Sequence, residues 1–167
     1  MGDKEEPREP ALDMESRRQC MLKEIDIIED TVRRMASNSF LLKGWTVTLV
    51  VGVLLLKGPG ICQVLLGLIP VVAFWYLDAY FLRQEKLFRA RYDWVVKHRL
   101  VTDEHLFDMS TDDFKNKVPS IPYLMWKREP AKDGTPKTNT LKWFYGSLAA
   151  VPILYCLVLI LIRIGGH

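Results

Sequence analysis

The chain has 167 residues, of which 49% are hydrophobic, and its formal net charge is +3. Apolar and charged residues occupy separate blocks, which argues against a soluble globular domain, where apolar residues recur at helix or strand period. The three cysteines, Cys20, Cys62 and Cys156, are too dispersed for a disulfide framework or a CxxC metal site.

Residues 1–15 form an acidic, proline-bearing segment that we expect to be disordered. The segment has no apolar stretch of the kind found in a signal peptide, so the first span is expected to act as its own insertion signal. From about residue 16, apolar residues spaced 4-3-4-3 predict one helix that runs into the first span. This stripe consists of Met21, Ile25, Ile28, Val32 and Met35.

Three apolar runs are candidate membrane spans, since a helix of ~20 apolar residues crosses the ~30 Å hydrocarbon core of a bilayer. We predict spans at about residues 40–56, 61–82 and 143–164. Only Lys57-Gly58-Pro59-Gly60 separates the first two, which predicts a tight hairpin. The first run is short, and the alternative is a buried core helix, but Gly44 and Gly52 favour a membrane helix.

A second apolar stripe continues beyond the second span and faces the first helix when the chain is folded about its turn. Ser39 then lies at the depth of Asp78, and Ile25 at the depth of Tyr92. We predict an antiparallel coiled coil that stands off the membrane; two separate amphipathic helices are the alternative. The second stripe consists of Leu77, Phe81, Phe88, Tyr92 and Val95. The charges expected to face each other are acidic Glu24, Asp26, Glu29 and Asp30 and basic Arg83, Lys86, Arg89 and Arg91.

Residues 101–142 are predicted to be an irregular, partly helical segment, because several prolines break any long helix. Helix starts are expected at Thr102 and Ser110, where a hydroxyl precedes acidic residues, and residues 127–139 form a polar linker. The whole chain is therefore predicted to be an all-α integral membrane protein. Residues 16–100 form the hairpin with its coiled coil, and residues 143–164 form a third transmembrane helix.

Lysine and arginine residues predict the orientation of the spans, because they are enriched in cytoplasmic loops. Residues 1–43 contain eight of the 23 Lys and Arg residues, and residues 83–142 contain thirteen. We therefore expect both regions to be cytoplasmic, with the hairpin turn and the C-terminus outside.

Asp78 is a functional candidate, because ionisable residues within spans are rare and usually functional. Lys43, Asn38 and Ser39 lie near its depth on the first helix and complete a predicted polar cluster at the inner membrane face. The functional interpretation is an ion or proton pathway. The structural interpretation, which we favour, is an Asp78–Lys43 pair, or hydrogen bonds to Ser39 and Asn38, that fixes the hairpin register.

Small residues on the spans are candidates for close helix packing. They are Gly44 and Thr48 on the first span and Gly146 and Ala150 on the third. A metal site is one interpretation of His98 and His105, which lie near acidic residues, but their spacing matches no ligand motif and we favour solvated charge. No phosphate-binding loop, nucleophile elbow or zinc-protease motif is present, so we expect no enzyme activity, no cofactor, no metal and no nucleic-acid partner.

Two sequence blocks carry a resemblance to known proteins. Arg34-Met35-Ala36-Ser37-Asn38-Ser39-Phe40 with Leu42-Lys43-Gly44-Trp45, and the block from Phe74 to Arg89, resemble an uncharacterised group of small bacterial membrane proteins. The resemblance covers roughly residues 20–100 and implies a multi-pass protein of the bacterial inner membrane, but no particular activity. A hairpin of spans with cytosolic helices is also remotely similar to two-span effectors of bacterial defence systems, in architecture only.

The expected function is non-enzymatic. The leading hypothesis is a protein that self-associates in the lipid bilayer and acts as a pore-forming or membrane-perturbing effector when a cytosolic signal arrives. The alternative is a membrane anchor or scaffold that recruits a cytosolic protein partner through residues 100–142. A weaker alternative is an ion or proton pathway through Asp78.

Overall fold

A computed structural model describes residues 13–56, 60–126 and 140–165. Its regular elements are all helical: α1 (Met14–Leu55), α2 (Gly60–His98), a 3-10 turn (Asp112–Lys117), α3 (Ile121–Trp126) and α4 (Thr140–Gly165). Helices α1, α2 and α4 are long and apolar enough to cross a membrane. The prediction of an all-α chain with three long apolar helices is therefore confirmed. The N-terminal residues 1–12, the turn residues 57–59 and the linker 127–139 lie outside the described residues.

Helix α1 is a single continuous helix because its sequence contains no proline and its start is capped. The Asp13 carboxylate accepts a hydrogen bond from the Ser16 N–H at 3.0 Å, which satisfies a donor that the first turn would otherwise leave unpaired. The polar Ser37-Asn38-Ser39 segment does not interrupt the helix. Helix α2 likewise continues through Pro70, and α4 through Pro152.

Helices α1 and α2 pack against each other as an antiparallel pair, and this is the largest interface of the fold. At one end, the Gln63 side-chain amide donates to the carbonyls of Val53 and Leu54 at 3.0 and 2.8 Å. At the other end, Arg99 contacts Glu24. Together with the Ser39–Asp78 contact between them, these contacts show that the two helices pack along most of their length.

The predicted stripes lie largely on the inner faces of this pair. Continued at the same 4-3 spacing beyond Met35, the stripe of α1 would reach Thr46 and Leu49; Thr46 is buried, but Val50 is buried in place of Leu49, which is 41% exposed. A straight helix has 3.6 residues per turn and cannot keep a 3.5-residue repeat in phase over this length. On α2, Leu77 is exposed and Asp78 and Ala79 are buried instead. Of the predicted stripe residues, Ile28 and Val95 are buried and Met21, Ile25, Val32, Met35, Phe81, Phe88 and Tyr92 are half-buried.

Helix α4 packs mainly on α2. Its Leu141 and Tyr145 join Val50, Val71 and Ala79 in the hydrophobic core. Further along, a Cβ on Gly67 would lie 3.5 Å from the Cβ of Pro152, an ordinary van der Waals distance, so α2 and α4 are in contact at this position. Gly67 is not among the small residues predicted for helix packing.

The segment after α2 contains turns instead of the helix expected at Thr102. Arg99 explains the difference, because its guanidinium binds the carbonyl oxygens of Thr102, Glu104 and His105. Those carbonyls would have to accept backbone N–H groups in a helix. At Ser110 no helix begins directly either, but a 3-10 turn begins two residues later, at Asp112.

Candidate functional site

A carboxylate at the meeting point of three helices forms the main polar cluster of the apolar region. Asp78 on α2 has no exposed surface. One of its oxygens, Oδ1, accepts a hydrogen bond from the Ser39 hydroxyl of α1. The other oxygen, Oδ2, lies 2.6 Å from Lys43 Nζ of α1 and accepts from the Tyr145 hydroxyl of α4 at 3.2 Å. Both oxygens of the buried carboxylate are therefore occupied.

Lys43 holds the α1 side of this cluster. Its ammonium group contacts Asp78 and also donates to the Ser39 hydroxyl at 2.8 Å. The Lys43 side chain is 27% exposed, whereas the Asp78 side chain is fully buried. Burying a carboxylate is costly unless it is paired and hydrogen-bonded, and here the cation and two hydroxyls together meet that need.

Three of the four residues predicted for the polar cluster are in contact, and one residue that was not predicted joins them. Asp78, Lys43 and Ser39 are in direct contact, whereas Asn38 is half-buried and contributes no hydrogen bond to Asp78 among the described residues. Tyr145 takes the remaining place, although the sequence analysis did not assign it there. A signal was present, since tyrosine hydroxyls need a partner when buried, but sequence alone does not fix how α4 is rotated against α2.

A second buried cluster lies at the far end of the α1–α2 pair. Glu24 and Arg99 are both fully buried and form a two-pronged ion pair, with Nε–Oε2 and Nη2–Oε1 distances of 2.5 and 2.8 Å. Glu24 Oε1 also accepts the Phe107 N–H at 2.8 Å. Paired hydrogen bonds of this geometry are among the strongest in proteins. The pair therefore joins α1, α2 and the segment that follows α2.

Arg91 extends this cluster and is itself buried. It donates to the carbonyls of His105 and Ser110 at 3.0 and 3.3 Å. Both guanidinium groups lie over the indole ring of Trp94, at 5.5 Å from its centroid for Arg91 and 5.3 Å for Arg99. Stacking of cations on an indole face is favourable and helps two buried positive charges to coexist.

The loop itself is held in an uncommon conformation. His105 and Phe107 both have a φ angle of 55°, in the left-handed region that residues other than glycine rarely adopt. The Ser110 N–H, with a smaller contribution from the Arg91 charge, holds the pKa of Asp108 below its usual range. The Arg91, Arg99 and Glu24 contacts hold the loop in this shape.

The predicted charge pairing between α1 and α2 was wrong for three of the four basic residues. Arg83 donates to the Pro119 carbonyl, Arg91 binds loop carbonyls, and Arg89 pairs with Glu85 on its own helix. Glu24, the buried acid of α1, pairs instead with Arg99, which the sequence analysis did not assign to the interface. Arginine is mostly a surface residue, so burial of Arg91 and Arg99 had no signal in the pattern.

The predicted packing glycines have no neighbours within the described chain. A Cβ on Gly44 or on Gly146 would meet nothing within 4 Å, and Thr48 is exposed. Ala150 is half-buried. These small residues are therefore available at the surface of α1 and α4.

No protein-family model, no curated protein and no solved structure matches the chain. The resemblance to small bacterial membrane proteins stays a prediction based on its two sequence blocks.

Proposed function

We propose that this protein is a non-enzymatic, multi-pass protein of the bacterial inner membrane that functions by self-association. In this proposal α1, α2 and α4 cross the bilayer, the N-terminus and residues 83–142 are cytoplasmic, and the C-terminus is outside. The lengths and apolar composition of the three helices support the spans. The concentration of Lys and Arg in residues 1–43 and in residues 83–142 supports the orientation.

The observation that carries the proposal is an unoccupied small-residue face on α1. Gly44, Thr48 and Gly52 are four residues apart, so they share one face, which is directed away from α2. A Cβ on either glycine would meet nothing within 4 Å, and Thr48 is exposed. The Thr48 hydroxyl donates to the Gly44 carbonyl at 3.0 Å, which leaves a small, neutral surface. Such faces let two membrane helices approach closely, and packing then drives their association.

We further propose that the parts of α1 and α2 beyond the apolar region form an antiparallel coiled-coil stalk in the cytosol. The buried Ile28, Leu87 and Val95 support this arrangement, as do the half-buried residues of the two stripes. A stalk fixed to the spans would transmit a cytosolic signal to the membrane assembly. We propose that this assembly acts as a pore-forming or membrane-perturbing effector.

A specific feature also favours the alternative, an anchor that recruits a cytosolic protein. The loop after α2 presents Val101, 80% exposed, and Phe107, 45% exposed. The Phe107 N–H is fixed by the buried Glu24, so this apolar surface is held in one shape. Exposed apolar surface that is rigidly held is typical of a protein-binding site.

The weaker alternative, an ion or proton pathway through Asp78, receives less support from the geometry. Both carboxylate oxygens have partners, and the side chain has no exposed surface. A structural role for Asp78 is the simpler explanation of these contacts.

Cross-linking through Thr48 tests self-association. In a full-length variant whose three native cysteines are replaced by alanine, Thr48→Cys is expected to form a disulfide-linked dimer when native membranes are oxidised. The matched control is Leu49→Cys, one residue away at the same depth, exposed, and rotated by about 100° around the helix. Equal cross-linking at both positions, or none at Thr48, would remove the support for this face.

A further inference from the structure

A groove runs between α1 and α2 in the region that we propose to be the stalk. Its volume is about 640 Å³. The floor is apolar and is formed by Ile28, Val32, Ala36 and Tyr92. Charged side chains form the two rims: Glu29 and Arg33 on α1, and Arg89 and Asp93 on α2. An apolar floor between charged rims is the arrangement found where helices pack against a partner.

Among the described residues, the rim charges form no ion pair across the groove. Glu29 and Asp93 form no ion pair with any other described residue. Arg33 and Arg89 pair only with acids one turn away on their own helices, Asp30 and Glu85. Such exposed pairs within one helix are weak, so their charges remain available to a partner.

Three of the rim charges, Glu29, Arg33 and Arg89, make this surface complementary to itself together with Glu85, which lies one turn before Arg89 and outside the groove lining. The Ser39–Asp78 contact fixes which residues of α1 and α2 lie at the same depth. Glu29 is ten residues before Ser39 and Arg89 eleven residues after Asp78, so acid and base lie at nearly equal depth. Arg33, six residues before Ser39, lies at nearly the depth of Glu85, seven residues after Asp78. The charge order along α1 is therefore the inverse of that along α2.

Membrane insertion restricts the symmetry of any pair of copies. Two copies that are inserted in the same orientation and form a closed pair are related by a two-fold axis along the membrane normal, and such an interface uses the same surface on both. Residues of equal depth then face each other, and α1 of one copy lies opposite α2 of the other. Glu29 would meet Arg89 of the second copy, and Arg33 would meet Glu85 of the second copy.

We propose that the stalk groove is the binding site for the groove of a second copy of this chain, which gives a four-helix stalk. This inference deepens the proposed function and rests on it, because equal depths meet only if the copies share one membrane. It assigns Glu29, Arg33, Glu85 and Arg89 as the residues that set the register of the two copies.

Cross-linking across the groove tests the proposal with full-length protein in membranes. Two differently tagged, cysteine-free copies are co-expressed, one with Arg33→Cys and the other with Glu85→Cys. A short bis-maleimide is expected to join them. Adding Glu29→Arg to the first copy opposes Arg89 of the second, and we expect the cross-linked yield to fall about fivefold. Lys97→Glu, a charge reversal on an exposed residue outside the groove, is the control and should leave the yield unchanged.

The decisive step adds Arg89→Glu to the second copy. The two reversed charges then face each other between copies, and the yield should return to its original level. If Glu29 and Arg89 interact only within one chain, each copy keeps a like-charge pair and the yield stays low, which would overturn the proposal. Absence of any Arg33→Cys to Glu85→Cys product would also overturn it. The proposed function itself would survive that result if Thr48→Cys still cross-links, and would fail if it does not.

Discussion

Replacement of Arg99 by methionine is expected to destabilise the end of the α1–α2 pair that contains Glu24 more than any other single change to this region. The substitution keeps much of the side-chain volume but removes the cation that pairs with buried Glu24. It also leaves the carbonyls of Thr102, Glu104 and His105 without their shared donor. Breaking a buried ion pair by removing one partner typically costs about 3–5 kcal/mol.

The measurement for Arg99→Met is limited proteolysis of the full-length protein in detergent, followed at the loop after α2. The loop of the variant should be cut much faster than that of the wild type, since it loses its tie to α1. Arg33→Met is the matched control, because Arg33 is 80% exposed and pairs only with Asp30 on its own helix. Equal cleavage of Arg99→Met and Arg33→Met would contradict a structural role for the Glu24–Arg99 pair.

Asp78→Asn is expected to weaken the junction of α1, α2 and α4. The amide keeps a hydrogen-bond acceptor but loses the charge that balances Lys43, and it brings donors that must find new partners. We expect a loss of about 2–3 kcal/mol, below that for Arg99→Met, since Lys43 is partly exposed and can extend toward water. The measurement is the amount of folded protein accumulated in membranes and its thermal stability in detergent.

The companion variant is Asp78→Asn combined with Lys43→Gln. Because this double change removes the unbalanced cation, accumulation should recover in part. Ion flux through liposomes is the second readout, and a conduction role predicts lost flux with normal accumulation of Asp78→Asn. That outcome would contradict the structural role and restore the pathway hypothesis. Tyr145→Phe should have a smaller effect, because it removes one hydrogen bond to Asp78 and leaves the Lys43 and Ser39 contacts of the carboxylate in place.

The three long helices could be predicted because the sequence concentrates its apolar residues in runs of the length that a bilayer requires. The contact of Ser39 and Lys43 with Asp78 could also be predicted, since a short connection between two helices fixes which of their residues lie at equal depth. Both inferences depend only on local periodicity and on counting from the turn.

The remaining contacts depend on relations that the sequence does not encode locally. Tyr145 follows a linker that leaves the rotation of α4 undetermined, so its bond to Asp78 could not be predicted. Burial of Arg91 and Arg99 requires a loop that turns its carbonyls inward, and such a loop has no repeating pattern. The contact between Gly67 and Pro152 could not be predicted either, because the two residues are on different helices.

The central claim is that copies of this protein assemble in the membrane, and the mass of the wild-type protein extracted in nanodiscs tests it most directly. Our account predicts a defined oligomer, and ion leakage from liposomes made with the same sample would support the effector form of the proposal. A particle containing one copy, with no leakage, would contradict self-association. It would favour an anchor whose exposed Val101 and Phe107 bind a cytosolic protein.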